Sequence, residues 1–501
     1  MKYYIGIDMG TTHIKTAVFL EEGTLKLMLR AYTPQERDEY GVIYRPESLW
    51  GIVCGQLNEA LAMVPAGDEV MGISVTGMAE AGLIVDRRSG REETNIIPWF
   101  DKRTEELAGA LTEEEEKEGF YATGLRNSYK YGIYKFAWLL ERNPEWKENG
   151  IWLSVCDYIV YKLTGRMVTD PGLAVRTYAW DIGWKRLRSG ILKKYGLTEV
   201  NFPEVLESGK AAGPVNAPDI HTAGRRIPAA VAGHDHVCAA YAVCTAYEGI
   251  QAECICNSAG TAETYVGIRP EGKITEMDRR SGMVIGPYAD GNHQFWLANI
   301  SSSGQSVEWV RTRLHRTEIP YGELNQAVAE CAAGPTGILY YPYLAGMGTP
   351  LFDSALTGAF LGLTAMHTWK EICKAVMEGT AYQSRYILKD VPEEDVLVCV
   401  GGAAQSAPWM QLKADITGRE ILVPDLTEAT LLGAAALFAG KNYGEQECKR
   451  MLSRVYENAI RYIPDPRHTG EYTKTYERFL AGLDWITGQS SGRQTAGKDR
   501  K

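Results

Sequence analysis

Asp8, Gly10, Thr11, Thr12 and Lys15 fall together in the stretch YYIGIDMGTTHIKTAVFL, residues 3–20. A glycine turn lets backbone N–H groups converge on an anion, and threonine hydroxyls add further donors. Lys15 offers a positive charge nearby, and Asp8 is placed to hold a cation that a phosphate brings with it. The same residues would also serve a plain buried hairpin with a capped turn. A second run of this kind, Ser258-Ala259-Gly260-Thr261, lies in the other half of the chain. Two more loops carry polar groups able to work on a ligand: Met78-Ala79-Glu80 between Gly77 and Gly82, and His234-Asp235-His236 after Gly233.

The elements around these residues read as alternating strands and helices. The apolar run Tyr3 to Ile7 and the β-prone run Ile14 to Leu20 predict a hairpin around the first Gly-Thr turn. Leu49, Val53, Leu57 and Leu61 form a helical stripe within 47–62, and Val70 to Val75 predicts a strand that delivers the Glu80 loop. The run from Ile151 reads as a helix to Leu163, closing at Thr164-Gly165. Ala229 to Ala232 predicts a small strand opening into Gly233-His234-Asp235-His236, with a small-residue helix from Val237 to Tyr247. In the second half, Gln251 to Cys256 and Glu263 to Ile268 repeat the hairpin syntax, so a duplicated fold with a cleft is expected. Thr368 and Glu371 predict a capping box. Val396 to Val400 reads as a strand opening into Gly401-Gly402-Ala403-Ala404, and Leu431 to Ala439 as a helix. Gly249 is a plausible boundary between the halves, and the polar, basic end from Gln489 reads as disordered.

Composition narrows the partners. The chain has 501 residues, 45% hydrophobic and 23% charged, ordinary values for a soluble globular enzyme of several domains. A formal charge of −10 argues against nucleic acid or anionic membrane as main partner. Ten cysteines occur without a CxxC pair, which reads as reduced thiols. Asp8 stands where a signal peptide would want an apolar run, and no stretch approaches an uncharged membrane span, so a cytoplasmic protein is expected.

The sequence resembles the FGGY family of carbohydrate kinases, which share the actin-like ATPase fold. The resemblance runs over roughly residues 3 to 480. Its most specific piece is GAFLGLTAMHTWKEICKAVME, residues 358–378; the two Gly-Thr hairpins, the Gly401-Gly402-Ala403 loop and Leu163-Thr164-Gly165 with Thr169-Asp170 follow in the family's order. The resemblance implies an α/β protein of two actin-like (ribonuclease H-like) domains with an interdomain cleft. These would be residues 1–246, carrying the sugar site, the first phosphate loop and the catalytic aspartate, and 247–480, binding the nucleotide; 481–501 would be a disordered tail. It implies ATP and Mg²⁺, a small sugar or polyol as the other partner, and leaves a homodimer open.

Residue by residue, the resemblance places Asp235 as the base for the acceptor hydroxyl and Asp8 as the residue that orients Mg²⁺. Gly10, Thr11, Thr12 and Lys15 match the first phosphate loop, and Gly260 and Thr261 the second. Gly304 and Gln305 approach the nucleotide, while Gly401, Gly402, Ala403 and Ser406 match the adenine pocket. Met78, Ala79, Glu80, Trp99 and His236, with Asp235, would form the sugar site; Asp101 and Arg103 suit either its rim or a salt bridge. A magnesium site built from His234 and His236 is not expected, because Mg²⁺ prefers oxygen ligands. Ala79 replaces an arginine of glycerol kinases, Gly132 departs from the N-terminal signature, and Met347-Gly348 replaces a Glu-Arg common in xylulose kinases, so the sugar stays unnamed. The expected activity is transfer of the γ-phosphoryl of ATP to a sugar, ketose or polyol hydroxyl. The alternative is an actin-like sugar-binding regulator or ATPase without that activity.

Overall fold

Lys2–Met9 lies inside a six-stranded sheet, antiparallel to His13–Leu20 on one side and parallel to Glu69–Gly77 on the other. The hairpin continues to Leu25–Tyr32, and Pro228–His234 runs parallel to Glu69–Gly77 beyond it, with Ala211–Pro214 at the edge. A second sheet of seven strands repeats this plan. Cys254–Ala259 is antiparallel to Glu263–Pro270 and parallel to Val396–Val400; His293–Ile300 continues the hairpin side and Ile421–Val423 the parallel side. The computed structural model describes residues 1–247, 253–314 and 318–498, without the side chains of 489–498. The proposed boundary at Gly249 and the strand start at Gln251 lie outside the described residues.

Both central strands are apolar on both faces, as a strand covered on both sides must be. Tyr3, Ile5, Ile7 and Met9 pack into one core with the Leu49, Val53, Leu57 and Leu61 stripe of the helix Pro46–Met63. The opposite face of the sheet, through Tyr4, Ala17 and Phe19, joins a core shared by both halves. Two helices cross in that shared core, Asp235–Tyr247 from the first half and Ala429–Tyr443 from the second. Their approach depends on a glycine: a Cβ built on Gly433 would lie 1.8 Å from the carbonyl oxygen of Cys238. The helix that begins at Asp235 is thus bolted directly to the other half.

Two expectations are corrected. Gly150–Ser154 is a strand paired with Gly82–Asp86, and the helix starts only at Val155, where Ser154 and Asp157 form a capping box. The end of the chain is not a disordered tail over 481–498, because the helix Pro466–Lys498 runs through it. Phe479, Leu483 and Ile486, at helical spacing, bury one stripe of that helix on the second half's core. Residues 499–501 lie outside the described residues. The Thr368–Glu371 capping box is present as read, opening the helix Trp369–Ile387. All ten cysteines are free.

Candidate active site

Parallel strands that share one sheet deliver their following loops to one edge. In the first sheet, Asp8 stands opposite Thr76, and Gly77 opposite both Met9 and His234. Asp8, the Met78–Glu80 loop and His234-Asp235-His236 are therefore gathered at the carboxyl ends of three neighbouring strands. Gly233, with φ of 97°, makes the bend into the Asp235 loop, and a Cβ there would sit 2.7 Å from Asp170 Oδ2. Asp170 is itself fixed: its Oδ1 accepts the Leu173 N–H (2.9 Å) and its Oδ2 the Ser208 hydroxyl (2.5 Å). The Thr169-Asp170 segment thus supports the loop and makes no part of its reactive face.

Asp235 opens its helix with the side chain 29% exposed. Its Oδ1 accepts the backbone N–H of His236 at 2.6 Å and lies 3.2 Å from His234 Nε2. Burial takes the His234 imidazole well below its usual value, with the Asp235 charge opposing, so it faces the carboxylate as a neutral ring. Asp8 is buried, and its Oδ1 has no hydrogen-bond partner. Burial, and after it the Asp235 charge, push the Asp8 carboxyl up to about 8 against the pull of Lys15. Lys15 stands opposite Asp8 in the hairpin and reaches Glu428 of the second half at 2.9 Å.

A buried carboxylate oxygen without a partner, beside a second carboxylate that raises its cost of ionisation, suits a hard divalent cation with oxygen ligands. His234, Asp235 and His236 also hold ligand atoms within 4.8 Å of one another, but two imidazoles suit a transition metal better than Mg²⁺.

Glu80, at the neighbouring strand end, is buried among cations. Arg176 Nη1 donates to its Oε1 at 3.1 Å, and Lys130 Nζ lies 3.8 Å from the same oxygen. Burial pushes the Glu80 carboxyl up, but Lys130, Arg176 and Lys135 together pull it below its usual range. Lys135 is buried; its Nζ donates to the carbonyls of Glu80 (2.6 Å) and Pro98 (2.8 Å), and burial brings it down to about 7. These bonds hold the Glu80 loop against the segment that carries Trp99. The Trp99 ring is 38% exposed, and its Nε1–H donates to Thr11 Oγ1 at 2.9 Å, joining the aromatic wall to the first Gly-Thr turn. Met78 and Ala79 are buried beside Glu80. Asp101 and Arg103 form a salt bridge at 2.8 Å, with Asp38 as second partner of Arg103, and so resolve as structural partners.

In the second half a cavity of about 660 Å³ opens at the matching edge of the second sheet. Gly260, Thr261, Gly304, Gln305, Gly402, Ala403 and Ser406, all expected at a nucleotide site, line it together. Gly401 lies outside the lining, and a Cβ built on it would lie 2.6 Å from the Ala259 carbonyl oxygen. The helix Gly304–Arg313 docks on the turn, with the N–H groups of Gly304 and Gln305 donating to the carbonyls of Gly260 (3.1 Å) and Thr261 (3.0 Å). Those two donors are engaged with the turn and are not free for an anion. Leu324, Met377 and Trp409 give the cavity apolar walls, and Asn325 accepts from Ser406 Oγ at 2.7 Å. Gly10, Thr12 and Lys15 remain at the first sheet's edge, outside this cavity.

Arg176, Lys130, Lys135, Glu428, Asn325 and Trp409 are the site residues that sequence reasoning did not assign. They join the site through tertiary contacts that spacing does not reveal.

Residues 3–242 match the N-terminal domain of the FGGY family of carbohydrate kinases, and residues 256–440 its C-terminal domain. Glycerol kinase of Clostridium beijerinckii is 28% identical over 482 residues, covering 93% of this chain and 94% of that protein. Two solved structures share the fold. Xylulose kinase from Lactobacillus acidophilus has a TM-score of 0.86 at 19% identity, covering 97% of this chain and 99% of that one. Gluconate kinase from Lactobacillus acidophilus has a TM-score of 0.86 at 20% identity, covering 97% and 98%.

Proposed function

The chain belongs to the FGGY family of carbohydrate kinases, phosphotransferases that take ATP with Mg²⁺ and an alcohol acceptor, and on that premise we propose that Asp235 is the general base for a small sugar, ketose or polyol. The observation that carries this reading is Asp235 itself, a partly exposed carboxylate at a helix N-terminus, one strand end away from Glu80 and beside buried Asp8.

Oδ1 of Asp235 is occupied by the His236 N–H and His234, which leaves Oδ2 to take the proton of the acceptor hydroxyl. As that proton moves, the acceptor oxygen bonds the γ-phosphorus, the bond from phosphorus to the bridging oxygen breaks, and ADP leaves. Asp8 is the residue placed to hold Mg²⁺. The cation, bound with ATP, would neutralise charge on the phosphates. The Gly10-Thr11-Thr12 and Gly260-Thr261 turns offer donors to phosphate oxygens. Gly402, Ala403 and Ser406, with the apolar walls of the 660 Å³ cavity, take the base and ribose. Glu80 and Trp99 receive the acceptor, the ring covering its apolar face. Residues 1–246 and 247–480 form the two domains in this reading. Ten free thiols, and the lack among the described residues of any helix long and apolar enough to cross a membrane, support a cytoplasmic setting.

A coupled assay of ADP release across a panel of ketoses, polyols and sugar acids tests the reading. Asp235→Ala should lower kcat on the best acceptor by about 10²–10⁴ while ATP still binds. Full turnover by that variant would remove Asp235 from the role.

A further inference from the structure

Two cationic donors beside Glu80 lack a hydrogen-bond partner among the described residues, buried Arg176 Nη2 and Lys130 Nζ, the latter also 5.7 Å from the centre of the Tyr131 ring. Lys135 is spent on backbone carbonyls and Arg176 Nη1 on Glu80. Lys130 Nζ makes no hydrogen bond among the described residues; its nearest charged partner is Glu80 Oε1, at 3.8 Å, too far for one. The side chain is one-third exposed. Glu80 is equally incomplete: Arg176 and Lys130 both address Oε1, and Oε2 accepts nothing among the described residues. A donor without an acceptor and an acceptor without a donor thus stand side by side, one strand end from Asp235.

We propose that Lys130 is a specificity-determining residue that reads one hydroxyl of the acceptor jointly with Glu80. A hydroxyl has both a proton to give and a lone pair to receive, so one such group accepts from Lys130 Nζ while donating to Glu80 Oε2. A carboxylate could accept from Lys130 but has nothing to donate to Glu80, and would leave two anions in contact. This inference rests on the kinase reading above and narrows its acceptor.

The test measures kcat and KM for glycerol, xylulose and gluconate, with ADP release as readout, in the wild type, K130M and K130R. K130M should raise KM for the preferred acceptor about 10- to 100-fold, the loss of one charge-assisted hydrogen bond, with KM for ATP unchanged. K130R should recover part of that loss, because it restores a cationic donor in a different geometry. Against the monodeoxy analogues of the preferred acceptor, the wild type should reject one by at least 10-fold, and K130M should not distinguish that one from the parent. This wild-type comparison stands even where K130M fails to fold. A K130M enzyme with wild-type KM, or equal use of every deoxy analogue, would overturn the assignment while leaving the kinase reading intact. No transfer to any acceptor by a protein that binds ATP would overturn both.

Discussion

Gly433→Ala would separate the two halves where they are most closely joined. The added Cβ lies 1.8 Å from the Cys238 carbonyl oxygen, a backbone atom inside the helix Asp235–Tyr247 that cannot swing aside as a side chain would. Reaching even 3.0 Å, the shortest separation real Cβ atoms tolerate, moves one helix by about 1.2 Å. A gap of that size forfeits a quarter to a half, or more, of the dispersion energy across the contact. The contact includes Leu431, Leu432, Val237 and Ala242, all buried. Overpacking of this kind costs about 3 kcal/mol or more. Alanine is the better helix former by only about 1 kcal/mol, so the clash wins by about 2 kcal/mol. For domains of this size that is a fall in Tm of about 4–8 °C. Asp235 is the first residue of the displaced helix, so a shift near 1 Å should also cost on the order of 10²-fold in kcat. The control is Gly55→Ala in the helix Pro46–Met63, where a new Cβ meets nothing within 4 Å and only the helix-propensity gain of about 1 kcal/mol remains. Thermal scans and kcat for both variants make the comparison. A Gly433→Ala protein as stable and active as the Gly55→Ala protein would refute the claim that this crossing positions the base.

The remaining predictions concern the second half. A Cβ on Gly402 meets nothing within 4 Å, and the residue lines the cavity, so Gly402→Leu should fill space there without disturbing the core. KM for ATP should rise about 10-fold or more, with Tm and acceptor KM unchanged; unaltered ATP kinetics would show that the cavity is not where the nucleotide sits. Glu378 accepts from Thr336 and Tyr472, yet burial pushes its carboxyl up to about 7. The folded protein therefore holds this proton more tightly than the unfolded chain. The stabilisation is complete below the unfolded pKa near 4.5 and is lost as pH rises through 7, to a total of about 3 kcal/mol. Glu378→Gln should flatten Tm between pH 4.5 and 7.5, and parallel curves for variant and wild type would contradict it.

How far the sequence could be read depended on whether a signal was local. The Gly-Thr hairpins, the helix stripe over 47–62 and the Thr368–Glu371 cap are written in neighbouring residues, and each is found where it was read. Ile151 to Ser154 was misread because a short apolar run fits a buried strand as well as a buried helix; its pairing with Gly82–Asp86 is a long-range fact. The disordered tail was misjudged for another reason. Its start at 481 followed from where the family resemblance ends, and Leu483 and Ile486 matter only when Phe479, four residues before Leu483, begins a stripe that meets the second core. At the site, residues at strand ends were legible because turn chemistry marks them. Arg176 and Glu428 were not, since an arginine and a glutamate become informative only when folding sets them against Glu80 and Lys15.

At the ends of their first strands the two halves differ in charge more than in backbone, which suits the division of labour proposed above. Asp8-Met9-Gly10-Thr11 and Ser258-Ala259-Gly260-Thr261 occupy the same place in the same hairpin, each at the end of a strand flanked by one antiparallel and one parallel neighbour. Where the first half has the Asp8 carboxylate, the second has the Ser258 hydroxyl. Where the strand beside it leads to Glu80 in the first half, the corresponding strand leads to Gly401 and Gly402 in the second. A carboxylate at the second edge would repel phosphates arriving there, and bulk at 402 would fill the cavity. A neutral first edge would have nothing to hold a cation or receive a proton. The paired ledges share a backbone plan, with the Asp8 carboxylate at the first where the Ser258 hydroxyl stands at the second; the acids near the second, Glu263 and Glu308, are paired with Lys413 and Arg311.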